Sequence, residues 1–328
     1  MNNSADIRRE NKRSIYRFLM REKACTKQQT ALGTGLSTAT CNTLLNDLKS
    51  QGIVTGEMKL SGEIGRSSTL YQIREEHESY LALHFYLKHG EKAVETLVFS
   101  PSGTILSKET QTLTQIRYSD LEERVQRIQE KFHNLTQIIV GTPSIAEHGI
   151  IRYCDIPELE NLRLKEKLEQ RFGLPAVMEN DMYHKAYGYY KTKGNPDEVI
   201  TLGYFQSHIL PGTATIHKGT IIRGANSFAG MTGFLPYDIS REEQLSLLRP
   251  GACIPFISKS IAAILVLLNP DAIVLTGDLI TEDLLSQVKD NCKETIPMEY
   301  MPHFIIADSF DDYYYQGMFQ LAVDQKKF

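Results

Sequence analysis

A row of small and polar side chains lies on one face of a predicted helix between Ser37 and Ser50. Ser37 can cap this helix, and the face toward the core is apolar: Cys41, Leu44, Leu45, Leu48. The opposite face presents Ala39, Asn42, Thr43 and Asn46, with Thr38 and Thr40 on its flanks. Small side chains allow close approach to base edges, and an Asn amide can pair with adenine in the major groove. The pattern predicts a helix that reads duplex DNA.

An arginine lies at the tip of a predicted β-hairpin that follows this helix. The segments 53–55 and 69–73 alternate as strands do, and a glycine-rich stretch joins them. Arg66 is in that stretch. We expect it to enter the minor groove, where arginine is attracted by the negative potential of a narrow groove.

Two further helices precede the DNA-reading helix. Ile15, Phe18 and Leu19 share one face of a helix predicted over Arg8–Arg21. Thr26 can cap a short second helix that ends near Leu32, before Gly33-Thr-Gly35. Three helices and a hairpin form the winged helix-turn-helix plan, so we assign residues 1–75 to a DNA-binding domain. The alternative is a helical interaction module that carries a hairpin.

The charge of the chain is divided unevenly between this segment and the rest. Residues 1–75 carry 12 Lys and Arg against 7 Asp and Glu, whereas residues 76–328 carry 24 against 33. A basic segment followed by an acidic remainder suggests two domains that bind different partners, and the partner of the basic domain would be a polyanion.

The composition excludes several other classes of protein. An apolar share of 41%, before glycine is added, is typical of a globular chain. The longest apolar run, Ile261–Leu268, is too short to span a membrane, and the N-terminus lacks the apolar core of a secretion signal. The five cysteines are scattered and form no CxxC pair. We therefore expect a soluble cytoplasmic protein without disulfides.

The remaining residues, 76–328, alternate between strand and helix patterns. Strands are predicted at 80–87, 93–99, 137–141, 176–178, 199–202, 213–217, from 220 and at 272–275, and helices at 119–133, 162–172 and 255–268. The order of elements repeats after residue 199. We therefore expect a two-lobed α/β body with a cleft between the lobes.

Three segments of this body resemble the ROK family of repressors, open reading frames and sugar kinases. Val140-Gly-Thr-Pro143 and Phe172-Gly-Leu-Pro-Ala-Val-Met-Glu-Asn-Asp181 are similar to the family's GxP…FGLPVxxEND stretch. Arg223-Gly-Ala-Asn-Ser-Phe-Ala-Gly230 resembles its RGANGFAGEIGH segment, and Leu268–Gly277 its NPDxIVLGG element. Gly65-Arg66 resembles the GRP wing of the repressor branch. The resemblance implies an N-terminal winged helix-turn-helix followed by an actin-like, ribonuclease-H-like body of class α/β.

The chain departs from the kinase branch at both phosphate loops. Counting back from Ser102-Gly103 places Lys88-His-Gly-Glu-Lys92 where the family has DxGGT, so a lysine replaces the acid. His208–Ala214 corresponds to the second, glycine-rich loop and retains one glycine. A Cβ atom occludes the backbone N–H groups that hold phosphate, so we expect no kinase activity.

The family's zinc and sugar ligands are also changed. Phe234 stands where the family has a zinc-binding His, no cysteine follows until Cys253, and Met231 replaces a sugar-binding Glu. We predict neither a metal nor another cofactor.

Apart from these changed positions, the resemblance implies a candidate ligand site between the lobes. Its residues are Thr142, Asn180, Asp181, Met231 and Phe234. In the kinases, Asn and Asp of the END motif bind the sugar, and the Asp acts as general base. Here Asn180 and Asp181 offer groups for one pair of hydroxyls, while Met231 and Phe234 make the far wall apolar. The alternative for Asp181 is a carboxylate that caps a helix.

Together these observations predict a DNA-binding regulator, most simply a repressor of carbohydrate-related genes. We expect it to bind duplex DNA as a homodimer or higher homo-oligomer, with a sugar or sugar derivative as effector and no membrane partner. Two alternatives stay open: an active sugar kinase of the ROK type, and a regulator controlled by a protein partner or a non-sugar ligand.

Overall fold

A computed structural model describes residues 4–59, 68–88 and 91–325. Its N-terminal unit contains α1 (Ser4–Glu22), β1 (Ala24–Thr26), α2 (Lys27–Thr34), α3 (Thr38–Ser50), β2 (Val54–Lys59) and β3 (Ser68–Ile73). The three predicted helices and the hairpin strands are confirmed. β1 was not predicted; it pairs with β3 and completes a three-stranded sheet of order β1-β3-β2.

Local sequence explains where these helices begin and end. Thr26 and Gln29 form a capping box at the start of α2, and Gly35 ends that helix in the left-handed conformation. The hydroxyl of Ser37 accepts a hydrogen bond from the backbone N–H of Thr40 and caps α3. The predicted apolar stripe of α3 is buried, and it packs on Ile15 and Leu19 of α1.

The first lobe is built on a five-stranded sheet of order β10-β7-β4-β5-β6. Its elements are β4 (Ser79–Lys88), β5 (Glu91–Phe99), β6 (Ile105–Leu113), α4 (Tyr118–Lys131), β7 (Leu135–Thr142), β8 (Ile145–Glu147), β9 (Ile150–Arg152), α5 (Leu164–Phe172) and β10 (Ala176–Asn180). α4 and α5 cover one face of the sheet in a single apolar core. β6 and the β8–β9 hairpin were not predicted.

The second lobe repeats this topology with a sheet of order β13-β12-β11-β14-β15. It contains β11 (Val199–Gln206), β12 (Ile209–His217), β13 (Thr220–Ile221), α7 (Arg241–Leu247), α8 (Ile254–Leu268), β14 (Ala272–Thr276), α9 (Glu282–Lys293) and β15 (His303–Ile306). In both sheets the first three strands are antiparallel and the last two add in parallel. The expected two-lobed α/β body is confirmed.

Two long helices join the lobes. α6 (Asp181–Lys193) follows β10 directly, and α10 (Asp311–Gln325) packs along it. Glycine permits this close contact: a Cβ atom at Gly188 would lie 1.8 Å from the carbonyl oxygen of Tyr313, and one at Gly317 would lie 1.7 Å from that of His184. The tyrosines of α6 pack into the second lobe.

The N-terminal unit is tied to the body at two places. The buried carboxylate of Glu78 accepts hydrogen bonds from Tyr16 of α1 and Tyr80 of β4. Asp324 near the end of α10 pairs with Arg17 of α1, with Nε and Oδ1 3.0 Å apart. Among residues 4–59, 68–88 and 91–325, no helix is long and apolar enough to cross a membrane.

Candidate nucleic-acid interface and interlobe cleft

The predicted DNA-reading residues form one continuous surface on α3. Thr38, Ala39, Thr43 and Asn46 are exposed, while Thr40 and Asn42 are half-buried at its edge. The hydroxyl of Thr43 donates to the carbonyl of Ala39, 3.1 Å away, and the Asn46 amide lies 3.4 Å from the Asn42 oxygen. The bond between Asn46 and Asn42 is long and therefore weak, so both side-chain amides can exchange it for hydrogen bonds to base edges.

Helix α1 holds α3 through charge. Asp47 of α3 accepts hydrogen bonds from Arg8 at 2.6 Å and from Lys12 at 2.8 Å. Hydrogen bonds from Lys12 and Arg8 lower the pKa of Asp47. The pairing orients α3 and keeps a negative charge on this helix neutralised. Arg66, predicted at the tip of the wing, lies outside the described residues.

A cleft of about 840 Å³ separates the two lobes. Four of the five predicted ligand residues line it: Asn180, Asp181, Met231 and Phe234. Thr142 does not. Its side chain is fully buried, and its hydroxyl lies 2.5 Å from that of Ser144. Thr142 therefore supports the neighbouring wall residues Pro143 and Ser144 from behind.

Asn180 uses its amide within the fold. Its side-chain oxygen accepts a hydrogen bond from the backbone N–H of Met182, 2.8 Å away, and caps α6. Its side-chain nitrogen donates to the carbonyl of Ser144 at 2.9 Å. The expectation that this amide offers both a donor and an acceptor to a ligand is therefore weakened, because one lone pair and one N–H are already engaged.

Asp181 forms an ion pair with Lys185 one turn further along α6. The distance from Nζ to Oδ2 is 2.7 Å, and both side chains are largely buried. The ammonium also lies 5.0 Å from the ring centre of Tyr204 and 5.6 Å from that of Tyr314. Sequence reasoning missed Lys185, although the i, i+4 spacing from Asp181 predicts such a pair on a helix.

Sequence reasoning also missed the other Asp, Glu and Arg residues of the cleft: Glu95, Asp155, Arg241, Asp278, Asp308 and Asp311. Asp155 follows the β8–β9 hairpin, and burial together with the negative charge of Asp181 raises the pKa of its carboxyl, against the opposing effect of Arg241. The Arg241 guanidinium lies 4.4 Å from the ring centre of Phe234. The far wall near Met231 and Phe234 therefore also carries a cation, which the sequence did not predict.

The segment predicted as a degenerate phosphate loop is part of a regular strand. Residues 209–214 belong to β12, and Gly212 pairs with Tyr204 of β11. A Cβ atom at Gly212 would lie 2.9 Å from Cγ of Met182. The one glycine kept here thus makes room for a side chain of α6. At the first loop, the backbone of Lys88 lies opposite that of Glu91 in the antiparallel pairing of β4 and β5, and residues 89–90 lie outside the described part of the chain.

The segment that carries Met231 and Phe234 is anchored by α6 and β10. Arg223 donates to both oxygens of Glu179 at 2.8–3.3 Å, and the Tyr183 hydroxyl donates to the carbonyl of Ala229. Gly230 has a φ of +90°, and a Cβ atom there would lie 2.0 Å from the carbonyl oxygen of Thr213. Only glycine fits this turn.

The residues present do not fit the zinc site of the family. Phe234 has no ligand atom. Within residues 4–59, 68–88 and 91–325, no three His, Cys, Asp or Glu side chains come together in a way that could hold a metal.

The comparisons with known proteins match this architecture. The sequence pattern of the ROK family matches residues 86–253 of the 328 in the chain. The chain belongs to the ROK family. A winged helix-turn-helix DNA-binding pattern matches residues 8–55, which cover α1, α2, α3 and the start of β2. This ROK chain thus carries a winged helix-turn-helix unit at its N-terminal end.

Among the curated proteins that the chain resembles are a xylose repressor and a putative xylose repressor. The chain is 22% identical over 240 residues to the xylose repressor of Caldicellulosiruptor bescii, covering 71% of this chain and 60% of that protein. It therefore spans about three fifths of the length of the curated relatives it matches.

Two solved structures share the fold. A ROK family transcriptional regulator, described as a homologue of the E. coli MLC protein, aligns over 98% of this chain and 100% of its own with a TM-score of 0.72 and 13% identity. A ROK family glucokinase from Streptomyces griseus, in complex with glucose and AMPPNP, aligns over 74% of this chain and 98% of its own with a TM-score of 0.52 and 16% identity.

Proposed function

We propose that this ROK protein is a DNA-binding transcriptional repressor of carbohydrate-related genes. The observation that carries the proposal is the exposed, small and polar face of α3 within a winged helix-turn-helix unit. The kinship to a xylose repressor supports a role in carbohydrate control. We place the DNA-binding domain at residues 1–75 and the body at residues 76–328, since β3 ends at Ile73 and β4 begins at Ser79. Binding to chromosomal DNA implies a cytoplasmic location.

The chain binds DNA as a homodimer with two half-sites. Each chain supplies one reading helix and one wing, and two-fold assembly is the usual way to double the number of base contacts. Arg66 contributes from the wing. Replacing it by Ala weakens binding and relaxes the sequence preference under the wing, whereas the contacts made by α3 persist.

The body binds a ligand without phosphorylating it. Lys185 holds Oδ2 of Asp181, and Oδ1 can still accept from a ligand hydroxyl; what is missing for phosphate transfer is the phosphate loop. The strand geometry of residues 209–214 leaves no glycine-rich cradle there. A kinase of the ROK type is the alternative function. Its support is the fold shared with a glucokinase, and transfer of phosphate to any hexose would establish it.

The ligand we propose is a sugar or sugar derivative held in the interlobe cleft by Asp181, Asp155 and Lys185. These groups together offer acceptors and one cationic donor, which suits neighbouring hydroxyls. A regulator controlled by a protein partner or a non-sugar ligand is the other candidate. An open cleft of about 840 Å³ between the lobes favours a small ligand over a protein surface.

The experiment that tests this function is selection of genomic DNA fragments by the full chain, repeated with a panel of sugars. Enrichment of discrete fragments that one sugar abolishes supports the proposal. If fragments are enriched but no sugar changes the enrichment, the proposed carbohydrate ligand is wrong and the proposed DNA-binding regulator stands. Failure to enrich any fragment at low salt overturns the proposal.

A thermal-shift assay with the same panel measures sugar binding independently of DNA. A ligand that binds only the folded state raises the melting temperature by mass action. Asp181→Asn should reduce that rise, because it replaces the charged carboxylate that pairs with Lys185 by a neutral amide. The polar side of the cleft then loses the arrangement of charges that we propose for binding the ligand.

A further inference from the structure

Three aromatic side chains form a cluster where the two lobes meet at the mouth of the cleft. The ring centre of Phe234 lies 5.5 Å from that of Tyr153 and 5.1 Å from that of Phe228. We call Tyr153, Phe228 and Phe234 the mouth cluster. Tyr153 belongs to the first lobe, just after β9, and the two phenylalanines belong to the second lobe.

The mouth cluster is unusually exposed for its size. Tyr153 is 65% exposed, Phe228 45% and Phe234 40%. Isolated exposed aromatics are common on protein surfaces, but three that are joined through a central ring, here Phe234, beside a cleft are typical of a binding surface.

A second cavity, of about 550 Å³, opens beside the mouth cluster and shares Ile145 and Tyr153 with the interlobe cleft. The rest of its wall is polar apart from Phe228: Glu147, Arg152, Glu160, Asn161, Asn226. Arg152 pairs with Glu147 at 3.1 Å and donates to Asn161. Glu160 accepts from the backbone N–H groups of Tyr153 and Cys154. The wall is thus preorganised, and it keeps acceptor oxygens for further donors.

We propose that this cavity binds the second sugar unit of a short oligosaccharide whose first unit lies in the interlobe cleft. The inference rests on the proposed carbohydrate ligand. A sugar ring has an apolar C–H face, which packs on aromatic rings, and an edge of hydroxyl groups, which needs acceptors and donors. The mouth cluster and the polar wall offer both on adjacent surfaces. The volume of the interlobe cleft, about 840 Å³, lies in the upper part of the range of small-molecule pockets, roughly 300–1,000 Å³.

The position of the second unit has a consequence for the lobes. A ring that packs on Tyr153 from the first lobe and on Phe228 from the second contacts both at once. Such a ligand binds best to the arrangement of lobes that brings the mouth cluster together, and so favours it. A monosaccharide in the interlobe cleft lacks this contact.

Calorimetry on the full chain tests the proposal with matched series of probes: xylose, xylobiose and xylotriose, and glucose, cellobiose and cellotriose. In one of these series the disaccharide should bind at least about tenfold more tightly than its monosaccharide. Phe228→Ala, at a residue that lines the second cavity but not the interlobe cleft, should weaken disaccharide binding about fivefold to tenfold, the usual effect of losing an aromatic packing partner, and change monosaccharide binding less than about twofold. Tyr300→Ala, which removes another exposed aromatic ring, is the control and should leave both affinities unchanged.

Other outcomes separate the inference from the function on which it rests. If a monosaccharide binds and its disaccharide binds no better, the second subsite is overturned while the carbohydrate sensor stands. Equal weakening of both ligands by Phe228→Ala also overturns it. If no member of either series binds, the carbohydrate part of the proposed function fails, and the second subsite fails with it.

Discussion

Glu78 forms the buried connection between the DNA-binding unit and the body, and replacing it should destabilise the folded chain. Its carboxylate is 2% exposed and accepts hydrogen bonds from the hydroxyls of Tyr16 and Tyr80. Burial, the neighbouring Tyr80 and the charge of Glu78 raise the pKa of Tyr16 well above its usual value, so its hydroxyl remains a donor. Glu78→Ala removes the acceptor that both hydroxyls share.

The size of the effect follows from the number and kind of bonds lost. A hydrogen bond to a charged group contributes about 1.5–3 kcal/mol, so two of them give a loss of about 3–6 kcal/mol. Water that enters the space left by the side chain recovers part of this. We therefore expect the free energy of unfolding to fall by about 3 kcal/mol. Glu78→Gln keeps one acceptor oxygen without its charge and should cost about half as much.

Urea denaturation of the full chain measures this change. The chain has 16 Tyr and no Trp, so near-UV circular dichroism of the tyrosines and far-UV dichroism of the helices are the suitable signals. Glu76→Ala is the matched control, because Glu76 is an exposed residue of the same connecting segment. It should change stability by less than about 0.5 kcal/mol. An equally small effect of Glu78→Ala would refute the reasoning.

Three further predictions concern other parts of the molecule. Burial lowers the pKa of His184 to about 4. Between about pH 6.5 and pH 4, the unfolded chain therefore binds a proton more readily than the folded chain, so the free energy of unfolding should fall by roughly 3 kcal/mol as the pH is lowered through that window. Urea midpoints at pH 7 and pH 4.5 measure this change. A His184→Asn variant that keeps the full pH dependence would contradict the assignment to His184. Arg17 and Asp324 should show a coupling energy of about 1 kcal/mol in a double-mutant cycle of alanine variants, because their ion pair is partly exposed; a value near zero would show that it does not link α1 to α10. The purified chain should not transfer phosphate from ATP to any hexose or N-acetylhexosamine in a coupled assay, and Lys185→Ala should not restore transfer, since residues 209–214 remain a strand.

The sequence predicted the elements whose patterns are long and local. The stripe of Cys41, Leu44, Leu45 and Leu48 repeats at helical spacing, and a cap precedes it, so α3 was located to within a residue. β1 is three residues long and exists because β3 offers a free edge. Such a pairing depends on tertiary structure, and no local pattern indicates it.

The cleft could be predicted only in part for a similar reason. Resemblance located the segments that contain Asn180, Asp181, Met231 and Phe234, but the hydrogen-bond partners of these residues come from elsewhere in the chain. The Asn180 amide is taken by Ser144 and Met182, and Arg241 reaches Phe234 from α7. The mouth cluster combines Tyr153 with residues more than 70 positions away, so no spacing rule predicts it.

The role of α3 as the DNA-reading helix is tested most directly by the binding of DNA to the full chain and to two threonine variants. Thr43 lies exposed on α3, and Thr112 lies exposed on β6 of the body. Both Thr→Glu changes add one negative charge, so they differ only in where the charge is placed.

Fluorescence anisotropy with a fragment selected from the genome gives the affinity of each protein over a range of salt concentrations. We predict that the unchanged chain and Thr112→Glu bind equally, with a logarithmic salt slope of several units from released counterions. Thr43→Glu should lose at least about tenfold in affinity, because it places a carboxylate against phosphates and base edges. Equal binding by both variants, or a salt slope near zero, would contradict the assignment of α3 as the DNA-reading helix.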